Sequence, residues 1–353
     1  MALNLTTKYS PLIDERFKAA SLTDAYAGKK YDFDGVRSIK VYSIDTVQLN
    51  DYNRSASANR FGIPAELGDT VQTLTMSQDK SFTFTIDRGN ASDQMNIKHC
   101  NAQVKSNWDE VATPDIDMYR LKKWIAGAGA GIAGAEPTSA NIIRAIATAG
   151  AVMSNHLVPK RNRTMFVRES VFVECKLSNE ILNLEALGTK AVAAGSVGTL
   201  DGMNVVPVPD SYFPEGVYFM IKYKDSTVDP MKLKTLRVHT NPPGIDGDLG
   251  ECRYYHDAFV LGNKAHGIYV YGDAEAKTAE VVPTISGDQL TLAGSGTIYY
   301  TADGTNPKAE KASGGESLQT YSAAITMEKG KTYKFYSEES GKISSGIGVF
   351  KYV

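Results

Sequence analysis

Asn50-Asp51-Tyr52-Asn53-Arg54-Ser55-Ala56-Ser57-Ala58-Asn59-Arg60-Phe61-Gly62-Ile63-Pro64-Ala65-Glu66-Leu67-Gly68-Asp69-Thr70 is the stretch on which the reading of this chain turns. It joins two strand-like runs, Ile39 to Leu49 and Val71 to Ile86. In the second run Phe82, Phe84 and Ile86 alternate with Ser81, Thr83 and Thr85, the period-two pattern of a strand with one buried face. The joint between the runs is polar, with only Phe61, Ile63 and Leu67 to bury. Unstructured connections of ~20 residues are uncommon inside a domain and usually serve a function of their own. A long two-stranded arm with little core is marginal in water. It becomes stable when a second copy of the chain covers it. The stretch points to assembly rather than to catalysis.

The rest of the composition is ordinary for a globular chain. At 353 residues it predicts about two domains. Hydrophobic residues make up 42% and charged residues 22%, enough for a real core. A net charge of -2 gives no overall pull toward nucleic acid or anionic membrane. The three cysteines, Cys100, Cys175 and Cys252, lie far apart and show neither a disulfide framework nor zinc spacing. No basic start followed by an apolar core marks a signal peptide, and no apolar run approaches the ~20 residues of a membrane span. The expectation is a soluble protein made in the cytosol, with no membrane contact.

Composition changes near Lys277. Every arginine lies at or before Arg253, and the later sequence is dense in Gly, Ser, Thr and Tyr. Asp273 to Lys277 reads as a linker into a small β domain over 278–353. Residues 1–34 form a polar leader, read as either a frayed terminus or an arm that docks on a neighbour. Asp87-Arg88-Gly89-Asn90 predicts a turn. The signal from Gln94 to about Gly127 is helical. Thr113-Pro114-Asp115 predicts a restart, with Thr113 as N-cap, so two consecutive helices are expected. Thr138-Ser139 opens another helix whose apolar stripe is Ile142, Ile146, Ala149, Met153 and Leu157, stopped by Pro159. Strands are predicted at Met165–Val167, Asn204–Val208, Val217–Tyr223, Arg237–Thr240 and Ala258–Leu261. Helices and strands mixed at irregular spacing indicate an α+β fold rather than a doubly wound sheet.

Catalytic chemistry finds little support. Gly129-x-Gly131-x-x-Gly134 has dinucleotide-binding spacing, but it follows a helix, and no Asp or Glu occurs between Glu136 and Glu169. A helix end or hinge is the better reading. His99, His156, His239, His256 and His266 show no metal-ligand spacing. Arg144, Lys160, Arg161, Arg163 and Arg168 form an acid-free basic stretch that either contacts phosphate or lies on a solvated face. No catalytic, cofactor-binding or metal-binding residue is assigned, and no cofactor is expected.

Several segments, taken in order, resemble the major capsid proteins of tailed bacteriophages, the Hong Kong 97-like fold. Pro114-Asp115-Ile116-Asp117-Met118-Tyr119-Arg120 is similar to a signature in that family's spine-helix region. Thr164-Met165-Phe166-Val167-Arg168-Glu169-Ser170-Val171 resembles the strand-then-helix entry to its axial domain. Gly198 to Pro209, and His239 through Leu261 to Lys264 and Gly267-Ile268-Tyr269, resemble later strands. The resemblance implies an N-terminal arm over 1–34, an extended β-hairpin loop over 35–90, and spine helix, peripheral and axial domains within 91–272. It implies self-association through hexamers and pentamers into an icosahedral shell around double-stranded DNA, bound without sequence specificity. The chain would be a non-enzymatic virion protein made in the bacterial host cytoplasm, with a portal and a separate scaffolding protein as partners. Some relatives cross-link through a lysine on this loop. No lysine lies between Lys40 and Lys80 here, so that chemistry is not expected.

Gly296-Thr297-Ile298-Tyr299-Tyr300-Thr301-Ala302-Asp303-Gly304-Thr305-Asn306-Pro307 resembles a hairpin in the small immunoglobulin-like domain at the C-terminus of chitobiases. Asp303-Gly304 supplies turn chemistry, and strands at this spacing indicate an all-β sandwich. Such a module either holds glycans or decorates a shell. The alternatives to a coat protein are another virion component such as a tail protein, or a carbohydrate-binding or carbohydrate-active protein built on the C-terminal module.

Overall fold

The computed structural model describes residues 20–31, 33, 36–44, 49–55, 57–64, 66–93, 99–178, 199–273 and 277–352. It is a mixed α+β structure. β1 (Ser38–Ile44) and β2 (Asp69–Thr75) pair antiparallel as a two-stranded arm. The run Val71 to Ile86 is not one strand. It breaks at Met76-Ser77, and β3 (Gln78–Asp87) leaves the arm to pair with a strand far along the chain. Both halves have strand-like sequence, so the break is set by partners. The Met76 side chain is fully buried, while Ser77 N–H and Oγ donate to Asp257 Oδ2 at 2.7 and 3.0 Å. The Asp87–Asn90 turn is instead the start of a short helix, α1 (Arg88–Asp93).

α2 (Cys100–Asn107) and α3 (Thr113–Ala126) are one helix rather than two. A π turn at Trp108–Ala112 joins them, with Thr113 N–H donating to Trp108 O. Thr113 is therefore helical and not an N-cap. Pro114 has no N–H and its ring crowds the carbonyl four residues back. A widened turn just upstream accommodates that ring without ending the helix. Glycine closes the C-terminal end: at Gly127 an added Cβ would lie 2.5 Å from Val260 Cγ2.

The centre of the molecule is a six-stranded sheet in the order β4-β13-β8-β5-β7-β6. Its members are β4 (Ala130–Ala133), β5 (Arg163–Arg168), β6 (Thr199–Leu200), β7 (Met203–Val208), β8 (Val217–Tyr223) and β13 (Ile268–Gly272). Only the β13–β4 and β5–β7 pairs are parallel, so the sheet is mixed and not doubly wound. Alternation along the buried strands builds two cores. Met165, Val167, Phe219, Ile221 and Tyr269 face α4 (Ile142–Asn155) and α5 (Glu169–Leu177). Phe166, Met220, Val270 and Val208 face α3, against Leu121 and Trp124. The α4 stripe is buried at Ile142, Ile146, Ala149 and Met153, as the spacing predicts. Leu157 is not part of it. It lies past the helix end at φ 59 and is exposed.

β9 (Thr227–Val228) and β12 (Phe259–Val260) form a small ribbon. β10 (Met231–Thr240), β11 (Gly247–His256) and β3 form a three-stranded antiparallel sheet, flanked by Trp108 and Ile116 of the long helix. The Gly-Ala tract is the edge strand β4 rather than a loose hinge. Gly129 and Gly131 allow close backbone approach, because added Cβ atoms would lie 2.6 Å from Ala265 C and 2.5 Å from Val270 O.

The C-terminal region has two sheets. One is β14 (Val282–Ser286), β15 (Gln289–Ala293) and β18 (Ile325–Thr326). The other is β16 (Thr297–Thr301), β17 (Gln319–Thr320), β19 (Thr332–Glu338) and β20 (Gly348–Lys351). Leu290 and Leu292 of the first pack with Ile298, Tyr333 and Phe335 of the second, giving a sandwich with its own core. Asp303-Gly304 does not close a hairpin. It leads into α6 (Pro307–Ser313), where Asn306 Oδ1 caps Lys308 N (2.9 Å) and Ala309 N (3.1 Å). Pro307 sits at the first turn and Gly314 ends the helix at φ 69.

Candidate assembly surface

The arm has two unlike faces. Residues directly opposite in an antiparallel pair share a face. The register pairs Ile39 with Leu74 and Val41 with Gln72 on the inner face. These pack against Phe33, Met76, Val228 and Leu261, so the foot of the arm has a small core shared with the body. The outer face carries Tyr42 opposite Val71, and Ile44 opposite Asp69. Tyr42, Ile44 and Val71 are all exposed.

The tip beyond these strands holds itself together sparingly. Asn53 N–H donates to Arg60 O at 3.0 Å, Gly62 N–H to Asn59 O at 3.0 Å, and Asn50 Nδ2 to Phe61 O at 3.4 Å. Tyr52 and Phe61 meet edge-on with ring centroids 5.0 Å apart. Phe61 and Ile63 remain 83% and 82% exposed, and Leu49 and Leu67 are exposed beside them. Contiguous exposed apolar side chains on a projecting element mark an interaction surface. The sequence picks out the two-stranded pairing and the three apolar tip residues, but it carries the second strand past its end at Thr75. It misses that Tyr42, Ile44 and Val71 add a second apolar stripe.

The leader is described from residue 20, and residues 1–19 lie outside the described part. Within the single chain, residues 20–31 and 33 lie against its own body, and 21–24 dock on the long helix. Asp117, 1% exposed, accepts from Ser21 Oγ (2.8 Å), Leu22 N (2.8 Å) and Thr23 Oγ1. Arg120 Nη1 donates to Thr23 Oγ1 at 3.2 Å. Farther on, Lys222 Nζ donates to Tyr26 O (2.7 Å), and Asp229 Oδ2 accepts from Gly28 N (2.8 Å). Asp229 Oδ1 takes the Trp124 indole N–H at 2.8 Å. Burial drives the Lys222 pKa down to about 8, while nearby Asp229 opposes the shift. The stretch 114–120 thus works as a set of joints. Asp115 holds Lys80 of β3 at 2.8 and 2.6 Å, Asp117 holds the leader, and Tyr119 Oη donates to Asp257 at 2.7 Å.

The other candidates resolve into structural roles. Arg163 is buried and donates to Pro159 O, Gly150 O, Val158 O and Ser154 Oγ, closing the end of α4, so it is no phosphate ligand. Arg168 Nη2 donates to Pro214 O at 2.7 Å. Arg144, Lys160 and Arg161 are exposed. His156 and His266 stack with centroids 4.2 Å apart, a pairing that their separation in sequence hides. Burial lowers the His266 pKa to about 4, assisted by His156, Lys334 and Lys308. Cys100, Cys175 and Cys252 are buried free thiols. Among the described residues no cluster of His, Cys, Asp or Glu could hold a metal, and no helix is long and apolar enough to cross a membrane.

A long helix against a mixed sheet, a separate three-stranded sheet, and a projecting two-stranded arm make up a fold shared with bacteriophage capsids. A chain of Mycobacterium phage Che8 matches with a TM-score of 0.62 at 16% identity, over 76% of this chain and 96% of that one. The mature capsid of bacteriophage PhiM1 matches at 0.62 and 11% identity, over 77% and 92%. The capsid of cyanophage P-SCSP1u matches at 0.61 and 11%, over 76% and 93%. At these identities the likeness is one of fold. A family model described as "Fn3 associated" matches residues 289–352, inside the sandwich, consistent with an immunoglobulin-like module. A comparison with curated proteins returns no match.

Proposed function

We propose that this chain is the coat subunit of a tailed bacteriophage, with the Hong Kong 97-like arrangement of N-terminal arm, extended loop, spine helix, and peripheral and axial domains. Copies associate through hexamers and pentamers into an icosahedral shell that encloses double-stranded DNA. The observation that carries this reading is the arm, which projects from a capsid-type fold with Tyr42, Ile44, Phe61 and Ile63 turned to solvent. Such an arm gains stability by lying on another copy. The net charge of -2 suits a wall that surrounds DNA without gripping it. With no lysine between Lys40 and Lys80, contacts rather than covalent links hold the shell. The work is done by mass-action association and not by turnover. The chain is made in the bacterial cytoplasm, with a portal and a separate scaffolding protein as partners. The sandwich lies outside the contiguous shell.

Electron microscopy of the overexpressed protein tests the reading, with closed shells or hexameric rings expected. Deleting residues 50–68 removes the tip, spares β1 and β2, and is expected to leave a folded subunit that forms no shells. Normal shells from that deletion, or a strictly monomeric full-length chain that hydrolyses glycans, overturn the proposal.

A further inference from the structure

The sandwich is tied to the body at the foot of the arm as well as through the linker. Gly262, just after β12, is the meeting point. Its N–H donates to Gln72 Oε1 of β2 at 2.8 Å, and its carbonyl accepts from Asn306 Nδ2 of the sandwich at 2.9 Å. Gln72 Nε2 completes the joint by donating to Val260 O at 3.0 Å. A Cβ on Gly262 would lie 2.8 Å from the Asn306 Cβ, so glycine permits this approach. Asn306 divides its amide between two tasks: Oδ1 caps α6 and Nδ2 reaches the body.

Two more contacts fix the sandwich beside the long helix. Lys308 Nζ donates to Ala128 O at 2.7 Å, just past the C-terminus of α3, where a cation is favoured by the helix dipole. The Lys308 ammonium is enclosed although the residue keeps part of its surface in solvent, and desolvation draws its pKa to about 7. Ile347 N–H donates to Gly129 O at 3.1 Å. A cleft of about 500 Å³ separates α6 from the long helix, with Gln72 to Thr75 of β2 along one wall.

A two-stranded ribbon cannot fix its own direction, because contacts at its foot must do so. The small apolar core covers the inner face of that foot. The Gln72–Gly262–Asn306 chain supplies a polar tie from a domain far away in sequence. We propose that the C-terminal sandwich is a brace that sets the direction of the arm through Asn306, Gly262 and Gln72. The brace acts within one subunit and does not rest on shell formation, so it stands or falls apart from the coat-protein reading.

Hydrogen exchange on the full-length, dissociated subunit tests it with two variants. Asn306→Asp keeps an acceptor for the α6 cap, since Asp and Asn cap about equally well, but removes the donor to Gly262. Gln72→Glu keeps the acceptor for Gly262 N–H and removes the donor to Val260, at a site remote from the cap. Each is expected to speed exchange of the amides in 69–75 about fivefold, the worth of one net hydrogen bond, with α6 and β19 unchanged. Should Asn306→Asp loosen α6 itself, a third variant decides: in Gly262→Ala the added Cβ would lie 2.8 Å from Asn306 Cβ and push the sandwich off the body while leaving the cap in place. Wild-type protection of 69–75 in Gly262→Ala overturns the brace, whatever Gln72→Glu does.

Discussion

Replacing Phe61 and Ile63 together by serine isolates the apolar share of the arm tip's contact. Both side chains are more than four fifths exposed in the single subunit, so neither holds the subunit's own fold together. Serine in place of each changes subunit stability by no more than ~0.5 kcal/mol, as for surface substitutions generally. On the coat-protein proposal both side chains are covered in the shell. Burying one such side chain is worth ~1.5–3 kcal/mol, so the pair supplies ~3–6 kcal/mol to each arm contact. If every subunit gives one arm and receives one, the whole loss falls on each subunit entering the shell. The critical concentration for assembly then rises by a factor on the order of 10² to 10⁴.

The assay is light scattering against protein concentration, with circular dichroism and a urea midpoint to verify the subunit. The expected outcome is an unchanged midpoint and a critical concentration displaced by at least two decades. An unchanged critical concentration refutes the argument, because the tip would then make no apolar contact. A fall in the urea midpoint of more than ~1 kcal/mol refutes it differently, by showing that Phe61 and Ile63 serve the subunit itself.

Two further perturbations probe the joints beneath the arm. Asp117→Ala strips the buried acceptor from Ser21, Leu22 and Thr23 and is expected to cost ~3–5 kcal/mol, read as a lower urea midpoint together with tryptic cleavage near residues 20–30; a loss below ~1 kcal/mol would show the leader to be held elsewhere. His256 is buried between Tyr119 and Tyr254 with Arg120, Lys80, Asp115 and Asp257 facing it, and burial first, then Arg120 and Lys80, hold its pKa at about 4. Between that value and the ordinary ~6.5 the unfolded state binds the extra proton, so stability falls as pH drops through this window, by ~2 kcal/mol at pH 5 from this group. His256→Phe fills the same slot without titrating and is expected to flatten that acid limb in urea melts at pH 7 and 5; an equally steep limb would assign it to other groups.

What the chain's pattern reveals, and what it hides, follows from the range of the forces involved. Period-two and period-three-to-four spacing is local, and it places α4, β5, β7, β8 and the arm. The break at Met76-Ser77 is not local. It depends on Asp257 for its anchor and on β11 for the new partner of β3. β4 was hidden for another reason: Ala130, Gly131, Ile132 and Ala133 have no alternation, and only backbone approach by β13 makes them a strand. α6 is legible in its caps. Asn306 followed by Pro307 is an N-cap with proline at the first turn, and Gly314 is the stop, a pattern that Thr113-Pro114 imitates inside a continuous helix. At the site, exposed Phe61 and Ile63 are visible as apolar letters in polar sequence. Asp117, Asp229 and Gly262 are not, because one carboxylate or one glycine carries no sign of a partner 95, 105 or 190 residues away.

The same magnitudes explain why a surface this apolar can exist on a free subunit. The tip's contribution of ~3–6 kcal/mol corresponds on its own to a dissociation constant of roughly millimolar to tens of micromolar, so two subunits meeting at micromolar concentration through the tip part again. Lys40 beside Tyr42, Asp69 opposite Ile44, and Pro64 in the tip keep the open ribbon from pairing with itself. Association becomes favourable only when a subunit joins several neighbours at once, since linked contacts multiply rather than add in the equilibrium constant. That product depends on the arms pointing the right way before they meet. An arm free to swing spends part of each contact on being ordered, ~1 kcal/mol or more for each backbone residue fixed. Against a tip contribution of ~3–6 kcal/mol, fixing only a few residues would cancel it. On the two proposals together, a weak contact and a braced foot are therefore one arrangement, and the brace is what lets an arm this weak on its own drive closure of a shell.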